Sequence, residues 1–426
     1  MTCGRRVLQI SSQASADQTH FPQPAPSGSL ADAYRASRRL TQALVAPLSD
    51  ADATLQSMED ASPAKWHLAH TNWFFETFLL RDHGTGFQLF DEKWPFLFNS
   101  YYEAEGARIS RLSRGMLSRP TVAQILEWRS AIDAAMEGLL DDPALAPLIA
   151  LGISHEQQHQ ELLLTDIKHA LFQNPLGPAM WDDAAPADVV QTTDQGWHSH
   201  PGGIVMMGHQ GSGFAFDNEG PAHRVLLEPF ALADRLVTNG EWAQFIADGG
   251  YRTAGLWLSD GWAWVQQNSI DAPLYWHEAD HFTHTGWRRR DPAAPVSHIS
   301  YYEADAFATW AGARLPTENE WEAIGQQDDA RGGNQLDSAV PPSPCGGTAL
   351  FGDCWQFTRS AYLPYPRFKP AEGAVGEYNG KFMSGQFVLK GASCATARGH
   401  SRSSYRNFFY PHQRWQFTGL RLARDI

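Results

Sequence analysis

The segment that most constrains the fold is residues 153–170, which places two histidines at a spacing typical of a metal-binding helix. It reads ISHEQQHQELLLTDIKHA. His155 and His159 are four residues apart, so on a helix they lie on one face, one turn apart, and can hold the same metal ion. The pattern predicts such a helix, and leaves open which metal it binds and where a third ligand comes from.

The same residues form the HExxH pattern of zinc proteases, in which the glutamate, here Glu156, acts as general base. A metzincin would need glycine and histidine where this chain has Leu162 and Thr165. A gluzincin needs a later glutamate, but after Glu161 the next is Glu219, far along the chain. The protease interpretation therefore lacks its third ligand. A helix with two solvated or core histidines remains the structural alternative.

A third ligand is available upstream, where residues 65–70 read KWHLAH. His67 and His70 are three residues apart, so on a helix both could point inward. Three neutral imidazoles without a carboxylate leave coordination positions open. This donor set favours a ferrous or zinc centre that binds substrate and small ligands directly.

Composition excludes several other classes of protein. The 426 residues carry a formal net charge of −14, which argues against binding nucleic acid or an anionic membrane surface. No stretch approaches the length of an apolar membrane span. The four cysteines are scattered without a CxxC pair, so we expect a reduced, cytoplasmic protein rather than a disulfide framework: Cys3, Cys345, Cys354 and Cys394.

The two halves of the chain have different patterns. The first half predicts four helices over residues 29–48, 62–82, 121–140 and 147–174, with Ser62 capping the second, and such a set suggests a bundle with a site between helices. The second half predicts short strands, with helices beginning at Thr238 and Thr317, in an irregular α+β domain. We therefore expect a disordered tail (1–29), a helical bundle (30–173), a linker (174–200) and a second domain (201–426).

Several long motifs resemble those of the ergothioneine-type sulfoxide synthases. They read SPAKWHLAHTNWFFETFLL, FNSYYEAEGARISRLSRGMLSRP, HEQQHQELLLTDIKHA and SYRNFFYPHQRWQFTGLRLARD, and they occur in the order of that family. These are non-haem iron enzymes. The resemblance implies an α+β protein in which a DinB-like four-helix bundle precedes a formylglycine-generating-enzyme-like domain of C-type-lectin-like topology. FDNEGPAHRV and RLPTENEWEA are typical of that second domain.

The resemblance also implies a metal and its ligands. The family's Fe(II) ligands fall on His70, His155 and His159, so His67 is expected to be structural. Gln158 matches a glutamine that contacts the substrate imidazole. Glu156 would then be a helix-surface residue or a neighbour of the ligands rather than a base. A structural Ca²⁺ in the second domain is a further expectation, without assigned ligands.

Other matched residues are expected around the substrates. Tyr101 and Tyr102 match a pair at the iron, where a phenol can donate a proton during oxygen activation; adjacent tyrosines are otherwise packing residues. Arg108 and Arg111, followed by Arg114, match a pair that binds the carboxylate of the sulfur donor. The alternative for these arginines is a solvated basic face.

The segment Asn407-Phe408-Phe409 departs from relatives that use γ-glutamylcysteine, which commonly read Asn-Trp-Asp. Phe409 cannot provide the charged contact of that aspartate, which favours free cysteine as donor. A quaternary ammonium group needs aromatic faces, which Phe408, Trp415 and Tyr405 could supply if they are not ordinary core residues.

The resemblance implies an Fe(II)- and O₂-dependent enzyme that joins a cysteine-type thiol to C2 of hercynine (trimethylhistidine) and oxidises the sulfur. Three alternatives stay open. The protein could join a seleno-sugar to hercynine, as selenoneine-forming relatives do, or it could be a non-catalytic metal-binding module. Formylglycine generation by the second domain alone would need a cysteine pair, but Gly399 stands five residues after Cys394.

Overall fold

The computed structural model describes residues 28–182, 194–372, 376 and 379–426. The predicted tail therefore lies almost wholly outside the described residues, and so does the middle of the predicted linker, residues 183–193. The predicted helical first half and mixed second half are both confirmed. The boundaries 1–29, 30–173, 174–200 and 201–426 stay predictions.

The first half is built from helices that pack side by side. The four longest are the predicted ones, and short helices connect them. Their bounds are α1 (Leu30–Val45), α2 (Asp50–Thr54), α3 (Ala64–Phe75), α4 (Trp94–Phe98), α5 (Val122–Met136) and α6 (Ala146–Phe172). Helix α3 packs against α1, α5 and α6, so it forms the centre of the bundle.

Helices α1, α2 and α5 begin with a side-chain cap, whereas α3, α4 and α6 begin without one. Ser29 and Thr121 cap α1 and α5 by accepting hydrogen bonds from backbone N–H groups in the first turn. The prediction that Ser62 caps the second helix is wrong. Pro63 occupies the cap position, and the Ser62 hydroxyl instead accepts a hydrogen bond from Arg114 Nη1 at 2.9 Å.

Helix α3 is buried along its whole length, and its polar side chains, His67 and His70 among them, are buried with it. It continues without a break into a π-helical segment, Glu76–Arg81. Helix α6 has 27 residues, begins with Pro147 in its first turn, and carries the HExxH motif near its middle. These two helices face each other over a long contact, which brings their histidines together.

The second half contains short strands in several small sheets. The strands are β1 (Trp197–His200), β2 (Gly203–Met207), β3 (His223–Leu227), β4 (Phe230–Ala233), β5 (Trp276–His277), β6 (Asp280–Thr283), β7 (Gly286–Arg289), β8 (Trp355–Ala361), β9 (Phe387–Lys390), β10 (Asn407–Phe409), β11 (Thr418–Gly419) and β12 (Ala423–Asp425). The sheet orders are β1-β4-β12, β10-β9-β8-β11, β2-β3 and β5-β6-β7. Pairing is antiparallel except between β8 and β11.

The second half also contains helices, the last two of which pack on its strands. The helices are α7 (Asn239–Ala247), α8 (Ser259–Asn268), α9 (Tyr301–Trp310) and α10 (Glu318–Gly325). Helices α7 and α10 begin after Thr238 and Thr317, as predicted. Helices α8 and α9 were not predicted from the sequence, although Ser300 and Glu303 form a capping box before α9.

The two halves share one apolar core. Buried residues of the second half, among them Tyr275, Phe282 and Phe417, belong to the same cluster as the core of the bundle. Helix α6 forms much of the boundary between the halves. None of the helices in the described ranges combines the length and the apolar character needed to cross a bilayer.

Candidate metal centre and substrate cavity

Three histidines from two helices meet in the interior of the bundle. His70 comes from α3, and His155 and His159 come from α6. One nitrogen of each lies within 4.8 Å of the others, and all three side chains are buried. Nε2 of His70 and Nε2 of His155 are 3.2 Å apart. Two nitrogens this close can both reach one ion at the usual metal–nitrogen distance of about 2.0–2.1 Å.

Hydrogen bonds on the outer nitrogens orient two of these rings. Nδ1 of His70 lies 2.6 Å from the carbonyl oxygen of Phe98. Because a carbonyl only accepts, Nδ1 carries the proton and Nε2 keeps a lone pair toward the cluster. Nδ1 of His159 lies 2.8 Å from Nδ1 of His67, which leaves its Nε2 for the centre.

The environment favours neutral imidazoles, the state that binds metals. Burial lowers the pKa of His155 to about 3. Burial, together with repulsion from the neighbouring histidines, holds the pKa values of His70 and His159 well below the ordinary value.

Aromatic stacking fixes the His70 ring from both faces. Trp66 stacks on one side with ring centroids 4.6 Å apart, and Trp73 stacks on the other at 5.3 Å. The Arg114 guanidinium lies 3.4 Å from the centroid of the Trp66 ring and makes a cation–π contact with it. Burial lowers the pKa of Arg114 to about 9.

Glu156 is an internal counter-ion rather than a helix-surface residue. Its carboxylate accepts hydrogen bonds from Thr41 Oγ1 at 2.6 Å and from Arg38 Nη1 at 3.1 Å, and it pairs with Arg129. Burial opposes ionisation of Glu156, but the guanidinium groups of Arg129 and Arg38 outweigh it and lower the pKa to about 2. Such a weak base is unsuited to the role of the HExxH glutamate in a zinc protease.

A cavity of about 390 Å³ opens beside His159, between α6 and the second half of the chain. Its walls include the predicted catalytic residue Tyr101 and predicted substrate-binding residues from both halves: Arg111, Gln158, Phe408 and Trp415. Gln158 Nε2 donates a hydrogen bond to the hydroxyl of Tyr405 at 2.7 Å. Asn407 and Phe409 also line the cavity.

Both halves of the chain match known protein families. The DinB superfamily model matches residues 33–163, and the sulfatase-modifying factor enzyme 1-like domain model matches residues 184–338. Hercynine oxygenase of Mycobacterium tuberculosis is 33% identical over 88% of this chain and 94% of that protein. The hercynine oxygenase of Mycolicibacterium smegmatis is 33% identical over 93% of this chain and 99% of that protein. A formylglycine-generating enzyme of Streptomyces coelicolor is 34% identical over 37% of this chain and 53% of that protein.

The chain belongs to the hercynine oxygenase family. Its relatives match almost from end to end, so the family covers both halves and the predicted resemblance is confirmed. The predicted fold class, a DinB-like bundle followed by a formylglycine-generating-enzyme-like domain, is confirmed as well. Family membership makes the protein an oxygenase, and does not favour the alternatives of a binding module or a formylglycine generator.

The donor set of this oxygenase fits a metal ion. Three buried nitrogens converge, and the hydrogen bonds of His70 and His159 turn their lone pairs inward. The predicted structural calcium stays a prediction. Calcium takes oxygen ligands, and the group of possible metal ligands found within the described ranges consists of histidine nitrogens.

The two adjacent tyrosines have different surroundings. Tyr101 lines the cavity, and its ring packs edge-on against Phe382. Tyr102 is buried behind it, with ring centroids 5.2 Å from both Trp73 and Phe78. Of the two candidates, Tyr101 is therefore the one that faces the cavity.

The predicted arginine pair is also divided. Arg111 lines the cavity, whereas Arg108 borders an adjoining depression and bonds to Glu103 Oε1 at 2.6 Å. Arg114, which the sequence analysis named only in passing, is buried and donates hydrogen bonds to Ser62 and Ser100.

Sequence reasoning missed two carboxylates of α6 that lie at the site. Glu161 lines the cavity and accepts hydrogen bonds from Trp355, Ser393 and Thr396. Asp166 bonds to His67 and Trp415. Asp166 follows His159 by seven residues, two helical turns, so it lies on the same face of α6 and could have been found from that spacing.

Proposed function

We propose that this oxygenase is an iron(II)- and O₂-dependent sulfoxide synthase of ergothioneine biosynthesis. It would join C2 of the hercynine imidazole to the sulfur of a cysteine-type thiol. One dioxygen removes the imidazole C2 hydrogen and the thiol hydrogen as water, and its second oxygen atom becomes the sulfoxide oxygen. The observation that carries the proposal is the buried three-histidine cluster beside a cavity formed by both halves.

His70, His155 and His159 would hold the iron. A bound Fe(II) ion would supply one-electron redox chemistry and open coordination positions for substrates. The chain's own contribution is to keep the imidazoles neutral and inward-facing. Because the site is buried, it would also exclude bulk water from the reaction.

The cavity walls suggest how each substrate group would be bound. The Gln158 amide, one residue before His159, is suited to hydrogen-bond the hercynine imidazole. Phe408, Tyr405 and Trp415 offer aromatic faces to a trimethylammonium group. Asn407 lies on β10 beside Phe408 and offers a polar amide.

Tyr101 is the proposed catalytic acid. It lines the cavity, whereas Tyr102 packs behind it, so the Tyr101 hydroxyl is the better placed phenol to donate a proton to a reacting oxygen. Tyr102 would then support the His70 stack through Trp73.

The donor site is proposed to bind free cysteine rather than γ-glutamylcysteine. Arg111 would pair with the donor carboxylate, and Arg108 would join it by exchanging its Glu103 partner. Phe409 contributes an apolar wall where a charged donor group would need a partner. We further propose a cytoplasmic location, supported by the free thiols of Cys345, Cys354 and Cys394.

Aerobic turnover of the full-length, iron-loaded protein tests this function. Hercynine and cysteine should yield the sulfoxide with one dioxygen consumed per product, measured by mass spectrometry and an oxygen electrode. His70→Ala should abolish turnover. Parallel reactions with γ-glutamylcysteine and with a seleno-sugar identify the donor. Stoichiometric iron without oxygen uptake in the presence of both substrates would overturn the proposal.

A further inference from the structure

The Asp166 carboxylate joins three parts of the molecule at one buried point. Oδ2 accepts hydrogen bonds from the Ser62 backbone N–H at 2.8 Å and from His67 Nε2 at 3.1 Å. Oδ1 accepts a hydrogen bond from Trp415 Nε1 at 3.0 Å. Ser62 precedes the cap of α3 and His67 lies in its first turn, whereas Asp166 belongs to α6 and Trp415 to the second half of the chain. The Asp166 side chain is 4% exposed.

These contacts determine the protonation pattern of two histidines. Because His67 Nε2 donates to Asp166, the Nδ1 of a neutral His67 is an acceptor. His159 Nδ1 faces that atom at 2.8 Å and therefore carries the proton. The Nε2 lone pair of His159 is then free to bind a metal. The Asp166 carboxylate can only accept hydrogen bonds, and it thereby fixes which nitrogen of His67 and which nitrogen of His159 carries the proton.

We propose that Asp166 is a positioning residue that sets the tautomer and ring orientation of His159 through His67, and fixes the cavity wall at Trp415 with its other oxygen. The inference rests on the proposed metal site. It assigns a role to His67 as the link between Asp166 and a ligand. The same carboxylate also bonds to Trp415, so it links the second half of the chain to the histidines of the metal site.

The groups that bond to the outer nitrogens of His70 and His159 are of different kinds. His70 is held by the Phe98 carbonyl oxygen, which a side-chain substitution leaves in place. His159 is held by side chains alone, so its support can be removed without changing a ligand. Partners that orient metal-bound histidines typically contribute about 10–100-fold to metal affinity.

Asp166→Asn is the sharpest single change because it preserves shape. Three N–H donors converge on the carboxylate, and an amide offers only one acceptor oxygen. If the amide nitrogen faces His67, that ring must change tautomer and present a donor to His159. If the amide nitrogen faces Trp415, two N–H donors meet and the hydrogen bond of the indole is lost.

Co(II) binding to the full-length protein provides a readout that is independent of turnover. We expect Asp166→Asn and His67→Leu to weaken Co(II) binding about 10–100-fold in chelator competition, and to change the visible Co(II) spectrum. His67→Gln retains an acceptor for His159 Nδ1, so it should bind Co(II) more tightly than His67→Leu. Trp415→Phe, which removes only the indole donor, should change the Co(II) spectrum although Trp415 is not a ligand.

Asp133→Asn is the matched control. Asp133 is a carboxylate of the same bundle that bonds to Tyr34 and Arg38, and we expect its variant to bind Co(II) as the wild type does. Equal Co(II) affinity of His67→Leu, His67→Gln and wild type would overturn the inference and leave the proposed function intact. If Asp166→Asn does not fold, the two His67 variants still decide. Failure of the wild type to bind Co(II) or Fe(II) would refute the proposed function instead.

Discussion

At the scale of single residues, neighbours decide which of several similar side chains can act. His67 and His70 lie on the same helix, one turn apart, and both are buried. Only His70 contributes to the cluster of possible metal ligands, because His67 is occupied between Asp166 and His159. The same holds for the tyrosine pair, of which one member faces the cavity and the other packs in the core.

The tyrosines give a prediction for catalysis. We expect Tyr101→Phe to lower kcat for sulfoxide formation by about 10²-fold or more, the usual contribution of a positioned general acid. Tyr102→Phe should lower kcat much less, because that ring packs between Trp73 and Phe78. Steady-state rates under saturating oxygen measure both. A larger loss of kcat for Tyr102→Phe than for Tyr101→Phe would reverse the assignment.

The histidine pair shows what a sequence can predict at this scale. The spacing of His155 and His159 predicts two ligands from helix geometry alone. Choosing between His67 and His70 required the family resemblance, because residues three apart share a face of the helix. Asp166 could have been inferred from its spacing to His159, but its partner Trp415 is 249 positions away in sequence. Propensity and periodicity contain no information about such a contact.

At the scale of elements, α6 combines two kinds of buried charge. On its bundle side, Glu156 neutralises Arg38 and Arg129. On its other side, Lys168 donates a hydrogen bond to His298 Nε2 at 2.7 Å, in the boundary between the halves. Helix boundaries followed from the capping residues Ser29, Thr121 and Thr317 and could be predicted. The continuation of α3 as a π-helix could not, since local sequence has no specific signal for it.

Glu156→Gln should destabilise the protein strongly. The substitution leaves two buried guanidinium groups without their shared counter-charge, so we expect the free energy of unfolding to fall by about 3–5 kcal/mol in denaturant titration. Glu137→Gln is the control: it removes a surface partner of Arg35 and should change stability by less than about 1 kcal/mol. Loss of turnover with unchanged stability would instead indicate a direct catalytic role for Glu156.

Lys168 predicts a pH dependence of stability. Burial lowers the pKa of Lys168 to about 7, whereas the unfolded chain holds that proton to higher pH. Between these values the unfolded state binds more protons, so the stability contribution of Lys168 rises with pH and is least favourable below about pH 7. The groups that face or influence its amine are His298, Tyr275, Phe417, Cys354, Cys394, His281 and His284.

Lys168→Met removes the titrating group and keeps an apolar side chain of similar length. We expect the Tm of the variant to exceed that of the wild type most at pH 7 and below, and the difference to shrink toward about pH 10. Thermal unfolding of both proteins across this range measures it. A Tm difference that does not vary with pH would show that the Lys168 amine keeps its ordinary pKa in the folded protein.

At the scale of the whole molecule, the two halves form one functional unit. The three histidines that could bind a metal come from the first half, and much of the cavity wall comes from β10 and the residues around it. The sequence predicted both halves, because each has its own periodicity and turn pattern. It could not predict their docking, which depends on single side chains such as Glu161, 235 positions from its partner Thr396.

The Glu161 carboxylate joins the two halves through three hydrogen bonds. This carboxylate, on α6, accepts hydrogen bonds from Trp355 Nε1 at 2.8 Å, Ser393 Oγ at 2.5 Å and Thr396 Oγ1 at 2.7 Å, all in the second half. Glu161→Ala removes the acceptor shared by three donors, of which the Ser393 and Thr396 hydroxyls can still bond each other at 3.2 Å. We expect the free energy of unfolding to fall by about 2–5 kcal/mol. Since these bonds join the halves, calorimetry should show the single transition of the wild type splitting into two. Glu241→Ala, which loses an ion pair with Arg235 inside the second half, should lower Tm without splitting it. A single transition for Glu161→Ala would mean that the shared apolar core and the remaining hydrogen bonds, such as that of Asp166 with Trp415, are enough to couple the two halves.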